Sequence, residues 1–256
     1  MNTQRFQNKV ALVTGGNSGI GRAAAVAFGR EGARVVIAAR REKEGAEVAS
    51  EIQSLGGEAL FVKTDLTVVD DIDRLFAVIG EKFGQLHCAF NNAGVWPAMK
   101  RAARYTVEEF DAVMNINVKA VWRCMQREIP LMISAGGGAI VNCSSVAGWT
   151  GEPGSSLYTA SKHAVIGLTR AAAVEFGRKN IRINAVCPGM TETPMLDQTL
   201  QSGGPEIKKV MLDMIPLGRF GKPEEIAGAV LFLCSEAASY ITAKSLVIGG
   251  GQVIGP

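Results

Sequence analysis

The sequence predicts an α/β fold in which one parallel β-sheet of about seven strands is doubly wound, with helices on both of its faces. Short apolar segments rich in β-branched residues alternate with longer amphipathic segments along the chain. Most short segments are apolar at every position, as in strands buried on both faces. The chain of 256 residues is 47% hydrophobic and contains neither a low-complexity linker nor an internal repeat. We therefore expect residues 1–256 to form a single domain.

The first half of the chain predicts strands and helices in strict alternation. The strand segments are Val-Ala-Leu-Val, Val-Val-Ile, Ala-Leu-Phe-Val and Cys-Ala-Phe, and the segments between them carry apolar residues at helical spacing. The predicted strands are 10–13, 35–37, 59–62 and 88–90, and the predicted helices are 22–31, 44–55 and 71–83. This order indicates a Rossmann-type arrangement, in which each helix connects two parallel strands.

The second half continues the alternation, with one exception. The predicted helices are 107–133, 156–176 and 223–233, and the predicted strands are 139–142, 182–186 and 245–248. The long segment 190–216 reads as irregular and carries Met190, Met195, Met211 and Met214. Because thioether side chains adapt to irregular shapes, the segment is either a flexible lid over a substrate or a surface excursion with buried methionines.

The composition favours small molecules as partners. Lys and Arg number 27 against 24 Asp and Glu, which argues against a nucleic-acid or membrane-binding surface. The five cysteines are scattered without a CxxC pair, and the only histidines are His87 and His163, so we expect neither a disulfide framework nor a metal site. No apolar run has the length of a signal core at the N-terminus or of a membrane span. These features are typical of a cytoplasmic protein with reduced thiols.

A glycine-rich turn directly follows the first predicted strand and leads into an alanine-rich helix. Residues 14–21 read Thr-Gly-Gly-Asn-Ser-Gly-Ile-Gly. Glycines at such a turn let backbone N–H groups approach a pyrophosphate at the helix N-terminus. The spacing of Gly15, Gly19 and Gly21 departs from the GxGxxG fingerprint, so the position of the turn after the strand carries the prediction of a dinucleotide site.

The end of the second predicted strand indicates which dinucleotide would bind. An acidic residue there holds the ribose 2′-hydroxyl of NAD, whereas an arginine accommodates the 2′-phosphate of NADP. This strand ends in Arg40 and Arg41 and offers no carboxylate, which favours NADP(H) and leaves NAD(H) as the second possibility. A basic residue in place of Ser18 would have supported NADP further. In the alternative interpretation, the two arginines only begin a solvated helix with Glu42 and Glu44.

Tyr158 and Lys162 lie four residues apart in a predicted helix, so their side chains share one face. A nearby ammonium favours the phenolate, so we expect the pKa of Tyr158 to lie below its usual value of about 10. His163 is the next residue, but neighbours on a helix point about 100° apart, and we expect it to face away from the site. A Tyr-x-x-x-Lys pair also occurs on ordinary helices, where it is more often structural than catalytic. The neighbouring motifs are what favour a catalytic role here.

These motifs include Ser144 and Ser145, which follow the predicted strand 139–142. Ligands bind at the carboxyl ends of strands in open parallel sheets, so Ser145 is placed to hydrogen-bond a substrate oxygen. A serine at this place is also a common turn residue or helix cap.

Together these motifs resemble the short-chain dehydrogenase/reductase family over residues 9–253. Residues 14–21 resemble its TGxxxGIG loop, residues 91–94 its NNAG segment, and four residues its catalytic tetrad. The resemblance implies the catalytic residues Asn117, Ser145, Tyr158 and Lys162. It implies cofactor contacts from Gly15, Asn17, Ser18, Gly19, Ile20, Gly21, Arg40, Arg41, Asp65, Leu66, Asn92, Ala93, Gly94, Tyr158, Lys162, Pro188, Gly189 and Thr193.

The resemblance also implies a role for each member of the tetrad. Tyr158 would be the general acid in reduction and the general base in oxidation, and Ser145 would polarise the carbonyl. Lys162 would lower the pKa of Tyr158 and bind the nicotinamide ribose. Asn117 would hold a water that connects Lys162 to solvent; Asn115 competes for this role, but the family pattern aligns better with Asn117.

Two departures from the family pattern occur at residues to which the resemblance assigns no catalytic role. His87 stands before the NNAG strand where relatives often carry Asp, and Gly249 stands where Asp-Gly-Gly is usual. The departure at Gly249 could alter how the last strand meets a neighbouring subunit. The resemblance implies such a contact, because members of the family form tetramers through the late helix and the last strand. We expect a homotetramer by this resemblance.

The function implied is hydride transfer between a nicotinamide and a ketone or secondary alcohol of a small or medium apolar substrate. The pattern is similar both to 3-oxoacyl-acyl-carrier-protein reductases and to glucose or secondary-alcohol dehydrogenases. Lys100, Arg101 and Arg104 would serve an acyl-thioester reductase as a docking surface for an acidic carrier, although such a run is usually a solvated face. An alternative of another class is a catalytically silent NADP-binding regulator, against which the complete tetrad argues.

Overall fold

The computed structural model describes residues 4–202 and 204–253. The described residues form one sheet of seven parallel strands in the order β3-β2-β1-β4-β5-β6-β7. The strands are β1 Val10–Thr14, β2 Arg34–Ala39, β3 Glu58–Lys63, β4 Cys88–Asn91, β5 Gly138–Cys143, β6 Ile181–Pro188 and β7 Ser245–Ile248. The strand order reverses between β1 and β4, and such a switch point is where open parallel sheets bind ligands.

Helices cover both faces of this sheet, which confirms the predicted doubly wound α/β fold. They are α1 Gly19–Arg30, α2 Glu42–Ser54, α3 Val69–Phe83, α4 Val107–Met114, α5 Ala120–Ser134, α6 Ser156–Phe176, α7 Pro194–Ser202, α8 Pro205–Asp213 and α9 Pro223–Cys234. One apolar core lies between the sheet and α1, α2 and α9, and a second lies between the sheet and α3, α5 and α6. None of the described helices is long and apolar enough to cross a membrane.

The prediction of one continuous α-helix over 107–133 is wrong in the middle of that range. A π-helical turn, Asn115–Lys119, lies between α4 and α5, and the backbone stays helical on both sides of it. A π turn adds one residue to the helix and rotates the side chains that follow. Within this turn Asn117 is buried, at 1% exposed, whereas Asn115 is exposed. Hydrophobic periodicity does not report such a local insertion.

The segment 190–216 is not irregular, contrary to the sequence prediction. It contains α7 and α8, each of which begins at a proline. Proline suits the first helical position because its missing N–H would have no helical partner there. Leu196, Met211 and Ile215 of the segment form a small apolar core with Phe220, which follows it.

The two strands at the edges of the sheet are less buried than their apolar sequences predict. In β3 the first and last residues, Glu58 and Lys63, are exposed, and β7 has no fully buried residue. An edge strand has a neighbour on one side only, so helices cover it less completely. The expectation of burial on both faces is correct for the five inner strands.

A buried polar network connects β4 and β5 to the helices beneath the site. Asn91 Nδ2 donates to Glu128 Oε2 at 3.1 Å and to Asn142 Oδ1 at 3.0 Å, and Asn142 Nδ2 donates to Thr169 Oγ1 at 2.9 Å. Glu128 is 0% exposed. Burial raises the pKa of Glu128 to about 8, and the hydrogen bond from Asn91 opposes this only in part.

We expect Glu128→Gln to become progressively more stable than the wild type as the pH rises from 5 to 8. The unfolded chain loses the Glu128 proton near its usual pKa of about 4.3, whereas the folded chain keeps it to about pH 8, so the free energy of unfolding falls with pH in this window. The slope is at most about 1.4 kcal/mol per pH unit. Urea unfolding at several pH values measures it, with exposed Glu47→Gln as the control. A stability difference that stays constant with pH would contradict the prediction.

Candidate active site

A cavity of about 760 Å³ opens at the carboxyl ends of the strands. Its volume falls within the range of about 300–1,000 Å³ that is common for ligand sites. The predicted site residues that line it are Gly15, Asn17, Ser18, Gly19, Ile20, Arg40, Arg41, Asp65, Leu66, Asn92, Ala93, Gly94, Ser145, Tyr158, Pro188, Gly189 and Thr193. Three others, Gly21, Asn117 and Lys162, lie behind this wall and touch the residues that form it.

The glycine loop leaves no room for side chains between β1 and α1. Gly15 has a φ of 64°, and a Cβ there would lie 2.9 Å from Asn92 Nδ2. A Cβ on Gly21 would overlap the Gly15 carbonyl oxygen. Gly21 therefore lets α1 pack against the loop, and the backbone of the loop itself faces the cavity.

The N-terminus of α1 fits a bound pyrophosphate. Ser18 precedes the helix without a side-chain cap, and no acidic residue lies in the first turn. The first N–H groups of a helix have no partner within it, and the helix dipole places partial positive charge there. The arrangement therefore offers N–H donors and no competing negative charge to phosphate oxygens.

Thr14 and Asn92 tie the glycine loop to the end of β4. Thr14 Oγ1 accepts from Asn92 N at 3.0 Å and from Ala93 N at 3.2 Å. The Asn92 amide Nδ2 donates in return to the Thr14 carbonyl oxygen at 3.0 Å. The Asn92 side chain thus holds the loop in place, and Thr14 is a positioning residue that the sequence analysis did not name.

The two arginines after β2 are held differently. With its amide oriented to satisfy both groups, the Asn17 oxygen accepts from Arg41 Nε and Nη2 at 2.8 Å, and Arg41 Nη1 lies 3.1 Å from Glu44. Arg40 is exposed at the cavity and makes no ion pair among residues 4–202 and 204–253. Arg41 therefore begins α2 much as the alternative interpretation expects, while the Arg40 guanidinium is available to an anion.

Asp65 and Leu66 line the cavity just after β3. The Asp65 carboxylate accepts from Thr67 N at 2.9 Å and from Thr67 Oγ1 at 2.7 Å. These hydrogen bonds, with a smaller contribution from the Arg40 charge, hold the pKa of Asp65 below its usual value. Asp65 is therefore ionised at neutral pH and accepts hydrogen bonds only.

Ser145 combines the two roles that the sequence left open. Its Oγ accepts from Ala147 N at 3.1 Å and so caps the short 3₁₀ turn Val146–Gly148. Ser145 also lines the cavity beside Tyr158, and its hydroxyl lowers the pKa of that phenol. Ser145 and Tyr158 therefore meet at one place, where both could contact the same substrate oxygen.

Lys162 lies directly beneath the Tyr158 ring. Its Nζ is 5.5 Å from the ring centroid and donates to the Cys143 carbonyl oxygen at 2.8 Å. Lys162 is 4% exposed. The last carbonyl of β5 thus fixes the ammonium beside the phenol, an arrangement that follows from the four-residue spacing only because α6 packs against this strand end.

The pKa of Tyr158 is raised, whereas the sequence predicted a lowered pKa. Burial is the largest influence and raises the pKa of Tyr158 above its usual value, while the Lys162 ammonium and the Ser145 hydrogen bond lower it by less. The expected net lowering is therefore wrong for the chain as described. The direction of the Lys162 influence was predicted correctly, but the loss of water around the ring exceeds it.

Asn117 holds the segment that follows β4. Its Oδ1 accepts from Val95 N at 2.8 Å, and its Nδ2 donates to the Val95 carbonyl oxygen and to Ser161 Oγ, both at 3.0 Å. Both amide N–H groups are therefore engaged with protein atoms, and the predicted role of Asn117 in holding a water stays a prediction. Asn115 is exposed and lies off the cavity.

The last predicted contacts lie after β6. Gly189 N donates to the Ile248 carbonyl oxygen at 2.9 Å, which joins this segment to β7. Thr193 Oγ1 donates to the Thr191 carbonyl oxygen at 3.2 Å, and its methyl group lies against Gly19. The start of the 190–216 segment is thus packed onto the glycine loop.

Most residues that line the cavity around Ser145 and Tyr158, its substrate side, were not predicted from the sequence. Trp96 is the largest of the missed residues, and its position shortly after the end of β4 was the available signal, because ligands bind at such strand ends. Met190, Met195 and Met214 line the cavity as the lid interpretation expects, whereas Met211 belongs to the core of the segment itself. The other missed lining residues include Val95, Val146, Glu152 and Gln252.

Other reactive side chains lie outside this site. His163 is exposed on α6, with Nδ1 2.9 Å from the Thr159 carbonyl oxygen, and faces away from the cavity as expected. All five cysteines are free and buried. No cluster of three or more metal-binding side chains occurs in the described ranges 4–202 and 204–253.

Comparison with known proteins gives consistent results along the whole chain. The model of a family described as enoyl-(acyl carrier protein) reductase matches residues 15–252. The chain is 39% identical to cyclohexanol dehydrogenase of Acinetobacter sp., over 97% of this chain and 96% of that protein. It is 40% identical to 3-oxoacyl-[acyl-carrier-protein] reductase of Thermotoga maritima, over 98% and 100%. A crystal structure of levodione reductase superposes with a TM-score of 0.92 at 36% identity, covering 96% of this chain and 98% of that one.

These relatives are oxidoreductases, and their similarity extends over the sheet, the glycine loop and the helix that carries Tyr158 and Lys162. The chain belongs to the short-chain dehydrogenase/reductase family, whose members are oxidoreductases that act on alcohols or ketones with NAD(P).

Proposed function

We propose that this chain transfers a hydride between NADP(H) and a ketone or secondary alcohol of small or medium size and apolar character. One observation carries the proposal. The hydroxyls of Ser145 and Tyr158 meet in the wall of a cavity whose other end is formed by the glycine loop and Arg40. A single cavity thus joins donors for a substrate oxygen to a site suited to a dinucleotide.

The residues of this chain would perform the proton transfer. Ser145 and Tyr158 donate hydrogen bonds to the carbonyl oxygen, and Tyr158 gives its proton to that oxygen as negative charge develops. The Lys162 ammonium, held by the Cys143 carbonyl oxygen, stabilises the phenolate that remains. The nicotinamide, when bound, supplies the hydride. In oxidation the same residues act in reverse.

The substrate side of the cavity supports an apolar substrate. Val95, Trp96, Val146, Met195 and Met214 line it. We propose that 190–216 acts as the lid, because it contributes methionines to the cavity and packs with Phe220 around a small core that is separate from the two cores beside the sheet. In this proposal, residues 1–256 form one domain with the lid as a part of it.

Two alternatives receive less support. For an acyl-carrier-protein reductase, the basic run would have to be available to an acidic carrier, but Lys100 pairs with Glu109, which leaves Arg101 and Arg104. For a catalytically silent regulator, the positions of Ser145, Tyr158 and Lys162 would carry no constraint, yet Lys162 lies beneath the Tyr158 ring and Ser145 influences the pKa of the same phenol.

Consumption of NADPH with a panel of substrates tests the proposal. The panel contains cyclic ketones of increasing size, a 3-oxoacyl thioester and an enoyl thioester, with absorbance of the reduced nicotinamide as the readout. We expect the ketones to give the highest kcat/KM. A preference for the 3-oxoacyl thioester would favour the carrier-protein alternative, and no turnover with any carbonyl would favour the regulator.

We expect Arg40→Ala to lower kcat/KM for NADPH by about 10- to 100-fold and to leave kcat/KM for NADH nearly unchanged. The reason is the loss of charge-assisted hydrogen bonds to the 2′-phosphate, which contribute about 1.5–3 kcal/mol. Arg41→Ala is the matched control and should change the ratio less, because Asn17 and Glu44 already bind the Arg41 guanidinium. A wild type that prefers NADH would contradict the assignment.

We further propose that four copies assemble through α9 and β7, in the cytoplasm. Leu246 on the edge strand β7 is 39% exposed and Phe232 on α9 is 37% exposed, which supports a contact there. The five free thiols support a reducing location. A monomer in sedimentation velocity, or the protein in an extracellular fraction, would contradict these two proposals.

A further inference from the structure

The indole of Trp96 lies flat against the ring of Tyr158. The two ring centroids are 5.6 Å apart and the ring planes differ by 22°, which is a stacked arrangement. Trp96 Nε1 also donates to Ser155 Oγ at 3.3 Å. Ser155 is 1% exposed and immediately precedes α6, the helix that carries Tyr158. One side chain therefore contacts both the phenol ring and the start of its helix.

The backbone that carries Trp96 is held just as firmly. The preceding residue, Val95, binds the buried Asn117 amide through both its N–H and its carbonyl oxygen. Asn117 in turn binds Ser161 on α6. The Trp96 ring is thus held by Ser155, and the backbone just before Trp96 is held by Asn117. Both contacts connect Trp96 to α6, the helix that carries Tyr158.

Two physical consequences follow for Tyr158. The stack restricts rotation of the phenol ring about its side-chain bonds. The indole also keeps water from one face of the ring, and burial is the largest influence that raises the pKa of Tyr158. Trp96 therefore affects both the direction in which the hydroxyl points and the ease with which it loses its proton.

We propose that Trp96 is a positioning residue for Tyr158: its indole holds the phenol in the orientation in which the hydroxyl meets Ser145, and it excludes water from the ring. This inference rests on the proposed role of Tyr158 in proton transfer. The positioning role of Trp96 and the proposed function of Tyr158 can be tested separately, because the ionisation of Tyr158 is measurable in the protein without substrate or cofactor.

Titration of phenolate absorbance in the protein alone is the first test. Each of the wild type, Trp96→Ala and Trp96→Phe is compared with the same chain carrying Tyr158→Phe, so that the difference reports Tyr158 and not Tyr105 or Tyr240. We expect Trp96→Ala to lower the pKa of Tyr158 because water reaches the ring. Trp96→Phe, which keeps an aromatic ring at the stack, should stay close to the wild type.

Steady-state kinetics is the second test. Trp96→Ala should lower kcat by about 10- to 100-fold with little change in KM, because a misplaced catalytic group costs about this much. Its pH profile for alcohol oxidation should shift to lower pH, in the same direction as the titration. Ser155→Ala removes the acceptor for the indole N–H and should give a smaller loss of kcat. Trp122→Ala, on the exposed face of α5 and away from the cavity, is the control and should change neither.

Other results would overturn the inference. A rise in KM with unchanged kcat and Tyr158 pKa would mean that Trp96 contacts substrate only. A loss of thermal stability with unchanged kcat and pKa would mean a structural role only. If Trp96→Ala does not fold, Ser155→Ala decides, because it removes the acceptor of the indole N–H: a kcat equal to the wild type in Ser155→Ala would overturn the positioning role. Equal rates for wild type and Tyr158→Phe would instead overturn the proposed function.

Discussion

Tyr158→Phe should lower kcat by about 10²- to 10⁴-fold, the range typical of losing a general acid–base group. The substitution removes only the hydroxyl oxygen, so the ring keeps its stack on Trp96 and its contact with Lys162. Cofactor binding and KM should therefore change little. The loss corresponds to about 3–5 kcal/mol of transition-state stabilisation.

Tyr240→Phe is the matched control for this prediction. Tyr240 is fully exposed and lies away from the cavity, so loss of its hydroxyl should leave kcat unchanged. Binding of NADPH to both variants, measured by fluorescence, separates a chemical loss from a binding loss. A kcat within about fivefold of the wild type for Tyr158→Phe would remove the proton donor assigned to this site.

Lys162→Met has the second largest expected effect, a loss of about 10- to 10³-fold in alcohol oxidation near neutral pH. The ammonium lowers the pKa of Tyr158 against the influence of burial. Without it the pKa rises further, so a smaller fraction of Tyr158 is ionised at a given pH. Because oxidation requires the phenolate, the rate should recover as the pH is raised, and the rising limb of the profile should shift to higher pH.

Lys162→Arg and Lys179→Ala complete this experiment. Arginine keeps a positive charge and should shift the limb less than methionine does, whereas Lys179 is exposed and its loss should shift nothing. Lys162→Met also leaves the Cys143 carbonyl oxygen without its donor, so thermal unfolding of every variant is needed to account for lost stability. A pH profile that keeps its position in Lys162→Met would show that the lysine does not act through Tyr158.

The sequence predicted the order and type of the strands and most helices within a few residues. Helix Ser156–Phe176 and strand Ser245–Ile248 have the predicted bounds. The site residues with motif character were also predicted, including the glycine loop and the Tyr158–Lys162 pair. These features are local: apolar periodicity, a glycine turn after a strand and a four-residue spacing are all contained in short stretches of chain.

The tertiary structure decided the features that depend on distant contacts. Asn117, in the π turn, is buried where it hydrogen-bonds Val95 and Ser161, which lie 22 and 44 residues away in sequence. The difference between Arg40 and Arg41 depends on Asn17, across the glycine loop. Neither signal is present in the neighbouring sequence, because hydrogen bonding between distant segments is settled only when the sheet brings them together.

Local sequence thus determined that a tyrosine and a lysine share a helical face at the end of a parallel sheet. What only the folded chain decided is the surroundings of that tyrosine: the Trp96 indole against its ring, the Cys143 carbonyl oxygen that fixes the lysine, and the water that burial removes. Spacing sets which side chains lie side by side, but proton affinity depends on the solvent that is excluded, and that exclusion arises from the packing of segments distant in sequence.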